Sequence, residues 1–112
     1  MNKEQLIAYI KSEPDRIDFF QVIEVIDSEF DFTPTRFVNG NLVNEANQNN
    51  GSCKIFSFAR RMGLDEQQTL SCFGDFYRND VLKHPENKDH QNIRNFILSG
   101  WKGIKFDAEA LK

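Results

Sequence analysis

Apolar residues along the first thirty positions recur at the helical spacing, in two separate stretches. Asn2-Lys3-Glu4-Gln5 has the form of a capping box, in which the Asn2 and Gln5 side chains each satisfy the other's free backbone N–H. Leu6, Ile7 and Ile10 follow on one face, so the pattern predicts a helix from about Lys3 to Lys11, ended by Pro14. Asp18-Phe19-Phe20-Gln21 repeats the box, with Ile17 and Val22 placed for a hydrophobic staple and Val22, Ile23, Ile26 and Phe30 sharing a face. Thr33-Pro34 forces an extended exit from this second helix.

The period then changes from 3.6 to 2. Residues 35–38 and 41–45 read as short strands around Asn39-Gly40, a dipeptide suited to a type I′ turn because both central positions need positive φ. In that register Phe37 opposes Leu42 on one face, and Arg36 opposes Val43 on the other. A lone hairpin is marginal in water and needs a third strand or a helix beneath it. The later strand candidate is 103–107, where Ile104 and Phe106 alternate about Lys105.

Ser52 is expected to cap a third helix bearing Phe56, Ala59 and Met62, which Gly63 stops. Asp65-Glu66-Gln67-Gln68 starts a fourth, with Leu70, Phe73 and Tyr77 in register. Gly74 lies inside it at a cost of about 1 kcal/mol relative to Ala, which close backbone packing would explain. Residues 79–88 read as a loop broken at Pro85. Asp89 is expected to cap a fifth helix that buries Ile93, Phe96 and Ile97, with Gly100 as its C′ residue and Trp101 as the accompanying hydrophobic contact. Residues 108–112 read as a fraying tail. Two helices, a hairpin, three helices and a strand lack the alternation of a doubly wound sheet. The order predicts an α+β fold: about five helices packed on a small, mostly antiparallel sheet that includes the Asn-Gly hairpin.

With 112 residues the chain is expected to form a single compact domain over 1–112. Its apolar content is dominated by 11 Phe, each ring worth roughly 150–250 Å² of burial. Phe56, Phe73 and Phe96 are expected in the core; Phe19, Phe20, Phe32 and Phe58 exceed what the helix faces can hide, and an exposed pair among them would mark a partner surface. A net charge of −3 with both signs interspersed disfavours nucleic acid or an anionic membrane as partner, and leaves Arg60-Arg61 as solvated surface. Nothing is long and apolar enough to span a bilayer, and Met1 to Ile10 does not read as a secretory signal. Cys53 and Cys72 make no disulfide framework; reduced thiols and a cytoplasmic location are expected.

The candidate chemistry lies at residues 44–54, NEANQNNGSCK. Asn44, Glu45, Gln48, Asn49, Gly51, Ser52 and Lys54 are the candidate ligand-binding residues, because the start of a helix offers outward N–H groups to an anion. The stretch is not a P-loop, since GxxxxGK[ST] is absent. The competing reading is an Asx-turn-rich loop whose side chains satisfy their own backbone. Cys53, in the first turn, is a candidate nucleophile if His84 or His90 serves as base, oriented by Asn44, Asp80 or Asp89; a buried apolar thiol is the alternative. Glu45, Asp80, His84, Asp89 and His90 lack the close repeated spacing of a metal site, so neither metal nor cofactor is expected. The leading reading is a non-enzymatic domain that binds a small polar ligand or a protein partner; the second is a small cysteine-dependent hydrolase or transferase.

Five blocks in order, FDFTPTRFVNG, NEANQNNGSCKIFSFA, TLSCFGDFYRNDVL, DHQNIRNF and GWKGIKFD, resemble the HopJ type III effector family (HopPmaJ-like proteins) over about residues 26–111. The resemblance implies a small single-domain bacterial protein and carries no established catalytic residue, cofactor or target. The matching motif positions are Asn44, Glu45, Asn49, Gly51, Ser52, Cys53, Lys54, Asp89, Asn92 and Trp101; other members have Gly where this chain has Asn47, which implies a local difference in the loop backbone. It also opens a third reading, a protein secreted by a type III system that acts on a host protein. Two capped helices over Met1 to Phe30, with only Ser12 and Ser28, are unlike the disordered, Ser-rich start expected of injected proteins.

Overall fold

Five α-helices and a three-stranded antiparallel sheet are present in the computed structural model, which describes residues 1–112. Helix α1 (Lys3–Ser12) carries the expected box: Asn2 Oδ1 accepts from Gln5 N at 2.8 Å, and Gln5 Oε1 accepts from Asn2 N at 2.9 Å. Helix α2 (Phe19–Glu29) is capped by Asp18, which accepts from Gln21 N at 3.2 Å, and it buries Val22, Val25 and Ile26. Strands β1 (Phe37–Asn39), β2 (Leu42–Asn44) and β3 (Ile104–Phe106) form a sheet in the order β2-β1-β3. The late strand thus supplies the support that the hairpin required.

The hairpin turn lies one residue later than expected, which moves each pairing by two. Phe37 pairs with Asn44, Val38 with Val43 and Asn39 with Leu42, so the two-residue loop is Gly40-Asn41. Gly40 sits at φ 63° while Asn41 is not in the positive-φ region, as in a type II′ turn, which takes Gly at its first central position. A two-residue change of partner keeps the faces: Phe37, Asn39 and Asn44 share the buried one, and Val43 is exposed.

Helix α3 (Asn50–Arg61) begins two residues before the expected cap. Its N-cap is Asn49 in the left-handed region at φ 53°, and Ser52 lies within the first turn. Helix α4 (Glu66–Ser71) keeps the full Asp65/Gln68 box but does not continue through Gly74. Gly74 is at φ 60°, and a Cβ there would stand 2.8 Å from Phe19 N and 3.2 Å from Ile17 O. Close backbone packing does account for this glycine, and it breaks the helix rather than sitting inside it. The chain resumes as a π-helical segment over Phe76–Val81, where a loop was expected to begin at Asn79. Asp89 does not cap helix α5 (Gln91–Ser99); the N-cap is His90 at φ 51°, and the Asp89 carboxylate takes Arg94 Nη2 at 2.7 Å instead. At the other end Gly100 sits at φ 63°, and the following Trp101 packs edge-on to Phe96 at 5.1 Å, as anticipated.

The tail is docked rather than frayed. Lys112 and Asp31 exchange backbone hydrogen bonds, Thr33 N donates to Ala110 O at 2.8 Å, and Ala110 and Leu111 are buried. One hydrophobic cluster of 23 buried residues runs from Leu6 to Leu111, with Phe56 among Phe37, Phe73, Phe96 and Trp101. No helix is long and apolar enough to cross a membrane.

Candidate functional site

Most of the amide-rich connection is spent on the fold. Gln48 Oε1 accepts from Glu45 N at 3.0 Å while Gln48 N donates to Glu45 O at 2.9 Å, which closes residues 45–48 on themselves. Asn47 sits at φ 72°, a left-handed position that Asn tolerates and Gly adopts without strain, so the exchange noted at this residue needs no change of backbone. Glu45 pairs with Arg36 across the strands at 3.3 Å. Lys54 pairs with Asp27 at 2.8 Å and lies over the Phe32 ring.

Asn44 is fully buried at the centre of an asparagine cluster. Its Oδ1 accepts from Asn92 Nδ2 at 2.9 Å and Asn49 Nδ2 at 2.7 Å, and its Nδ2 donates to Asn92 Oδ1 at 3.1 Å. Asn39 Nδ2 donates to Asn92 O at 2.8 Å and to Asn92 Oδ1 at 3.1 Å. Apart from Asn39 Oδ1, which has no partner, these buried amides satisfy one another and fix relative position, because a slip would leave further polar groups unpaired in a low-dielectric interior. Here they fasten the hairpin to the starts of α3 and α5.

Those two helix starts meet at a cleft of about 540 Å³. Its polar lining is Asn49, Gly51 and Ser52 from α3 with His90, Gln91 and Asn92 from α5; its apolar lining is Phe19, Phe73, Phe76, Leu42 and Ile93. Both helices open from a left-handed residue whose side chain makes no capping bond. The N–H groups of Asn50, Gly51, Ser52, Gln91 and Asn92 consequently have no acceptor in the protein, whereas Cys53 N and Ile93 N already bond back to Asn49 O and His90 O. Unsatisfied first-turn N–H groups make each helix start a centre of partial positive charge. Gly51 matters for a second reason: a Cβ would lie 2.8 Å from Phe19 Cζ, so a larger residue there would push that ring away from the start of α3.

The π-helical segment builds the histidine side of the cleft. Phe76 packs against the His90 ring at 5.1 Å, and Asp80, four residues on, holds His90 Nε2 at 3.0 Å. Phe20, 66% exposed, stands edge-on to Phe19 at 5.2 Å. It has no exposed aromatic companion, since Phe58 is buried and Phe19 and Phe32 are partly buried.

Cys53 does not join this group. It is 1% exposed, its Sγ donates to Thr35 O at 3.6 Å, and burial pushes its thiol above the ordinary value. That direction opposes thiolate formation. No hydrogen bond links it to either histidine, and it is not part of the cleft lining. Burial pushes Cys72 up to about 12. His84 lies elsewhere, on an exposed turn beside Glu86. No group of three or more His, Cys, Asp or Glu side chains is assembled as a metal would require.

Of the residues anticipated from sequence, Asn49, Gly51, Ser52 and His90 reach the cleft, while Asn44, Glu45, Gln48 and Lys54 serve the surrounding fold. Sequence reasoning missed the roles of Asn39, Phe76 and Gln91, and knew Asn92 only as a motif position. The one available signal was the matching polar start of α5.

The family model described as HopJ type III effector protein matches residues 3–111, extending the resemblance to the first helix. A crystal structure described as that of an unknown function protein, VPA0580, is similar at 54% identity and a TM-score of 0.99, covering 100% of this chain and 93% of that one. Among curated proteins, none matches.

Proposed function

We propose, from the premise that the chain belongs to the HopJ type III effector protein family, that it is a non-enzymatic binding domain of the cytoplasm. Its cleft between the starts of α3 and α5 holds a small polar ligand that carries an anionic or strongly accepting group. The observation that carries this reading is the convergence of two uncapped helix starts on one concavity with an aromatic lining. A negative group seated there would accept from the free N–H groups of both helices, each helix end contributing roughly 0.3–1 kcal/mol. Phe19, Phe73 and Phe76 would cover the ligand's flat or apolar body, and the asparagine cluster sets the angle between the two donors. The Asn44 side chain then acts at one remove, by holding the cleft in shape.

Titration of ¹⁵N-labelled protein with phenyl phosphate tests the reading. Saturable shifts are expected at the amides of Asn50, Gly51, Ser52, Gln91 and Asn92, with phenol alone much weaker. Silence at all five would overturn it.

The family's description supports a second reading, secretion through a type III apparatus and action on a host protein. Export of a reporter fused to residues 1–30 would favour it, and retention would remove it.

A further inference from the structure

We propose a second site, for a small organic anion, in the groove between the last turns of α3 and the C-terminal tail. The groove encloses about 480 Å³, within the range of metabolite pockets. Ser57, Arg60 and Arg61 line it from α3, at helical positions that share one face.

Charge pairing singles these arginines out. The chain has six arginines in a sequence with 17 acidic and 14 basic residues. Arg16, Arg36, Arg78 and Arg94 each stand within 4.0 Å of a carboxylate, and Arg60 and Arg61 do not. The two arginines without a counter-charge are adjacent in sequence and both line the groove, Arg61 with its guanidinium over the Phe30 ring at 5.2 Å. Their place at the negative end of α3 explains why basic residues suit the helix there, but it supplies no counter-ion to the groove.

Their remaining contacts hold them ready. Arg61 Nη1 donates to Leu111 O at 3.0 Å, which fixes its position against the tail. Arg60 lies over the Phe106 ring at 6.0 Å and its side chain makes no hydrogen bond within the protein, so its planar fork is open to a two-pronged acceptor. Ser57 Oγ, although Ser57 belongs to the same lining, is buried against the Cys53 thiol and adds no free donor to the groove. The N–H of Leu111 also lacks an acceptor, and it points to the same side of the tail as the carbonyl taken by Arg61. Two guanidinium groups and one backbone N–H therefore gather in a lining that holds a single carboxylate. Phe106, Ala108 and Ala110 offer an apolar bed for the ligand's body.

Carboxylate and phosphate share the chemistry these donors recognise. Glu109 is the one carboxylate in the lining and lies beyond 4.0 Å from either arginine; its charge weakens the site.

The test uses the full chain with benzoate and phenyl phosphate as separate probes, followed through the Arg60 side-chain Nε–H and the Leu111 amide. Saturable shifts at both are expected with at least one probe; the stronger probe identifies the class. Arg60→Gln should weaken binding about tenfold or more, as loss of a charge-assisted hydrogen-bond pair implies, and Glu109→Gln should strengthen it several-fold. Shifts confined to the amides at Gly51 and Asn92, or binding indifferent to Arg60→Gln, would overturn the proposal without touching the reading of the cleft.

Discussion

Asn44→Ala will lower the unfolding free energy by about 3 kcal/mol, a large loss for one small side chain. Three side-chain hydrogen bonds disappear, at 2.7, 2.9 and 3.1 Å, and Asn92 Nδ2 and Asn49 Nδ2 lose their acceptor. Unpaired buried donors cost roughly 1–3 kcal/mol each, and partial access of water to Asn49 moderates the sum. Urea unfolding measures the effect as a lower midpoint with unchanged slope. A loss below about 1 kcal/mol would mean that the cluster is already hydrated and does not fasten the helix starts. The same substitution should broaden or shift the amide signals at Gly51 and Gln91, because the angle between α3 and α5 depends on it.

Phe56→Ala is expected to cost more, about 4 kcal/mol, by removing a ring and leaving a cavity. Phe56 is fully buried and meets Phe37 of β1 at 6.0 Å, Phe73 at 5.5 Å, Phe96 of α5 at 5.0 Å and Trp101 at 6.3 Å. One ring therefore joins the sheet, the turn after α4 and the fifth helix. For a chain of this size each kcal/mol lowers the melting temperature by about 4–8 °C, so calorimetry should show a fall on the order of 15 °C or more. Phe56→Leu, which restores most of the volume, should recover over half of the loss. Equal melting temperatures for Phe56→Ala and the wild type would contradict this account of the core.

The helices and the class of fold were readable because their signals are local. Capping boxes at Asn2 and Asp65 and the apolar spacing of α2 and α5 depend on neighbours within a few residues, although Ile97, expected in the buried stripe of α5, is exposed. The errors fall where a distant element decides the outcome. Asn39-Gly40 has the chemistry of a turn, yet Asn39 is drawn into β1 because α5 offers its side chain a buried acceptor in Asn92. Gly74 looked like a tolerated helical glycine, but α2 approaches so closely that the backbone turns to positive φ there. The tail was read as free because its partners, Asp31 and Thr33, lie some eighty positions earlier in the chain.

The site divides in the same way. Residues 44–54 stand out as polar, but composition does not distinguish an amide that binds a neighbour from one that faces a ligand. Asn44 and Gln48 turned out to hold the structure, whereas Asn49, Gly51 and Ser52 border the cleft. Residue type alone did not place the left-handed starts, because Ser52 is as good a cap as Asn49 and Asp89 is a better one than His90. Their side chains were available; the backbone began each helix elsewhere.

Native-state hydrogen exchange tests the central claim most directly, since it needs no ligand. The account predicts fast exchange at Asn50, Gly51, Ser52, Gln91 and Asn92, beside slow exchange at Cys53 and Arg94, whose N–H groups bond back to Asn49 O and His90 O. Strong protection at the first group would mean that these N–H groups already have acceptors, and the two helix starts would have nothing to offer a ligand.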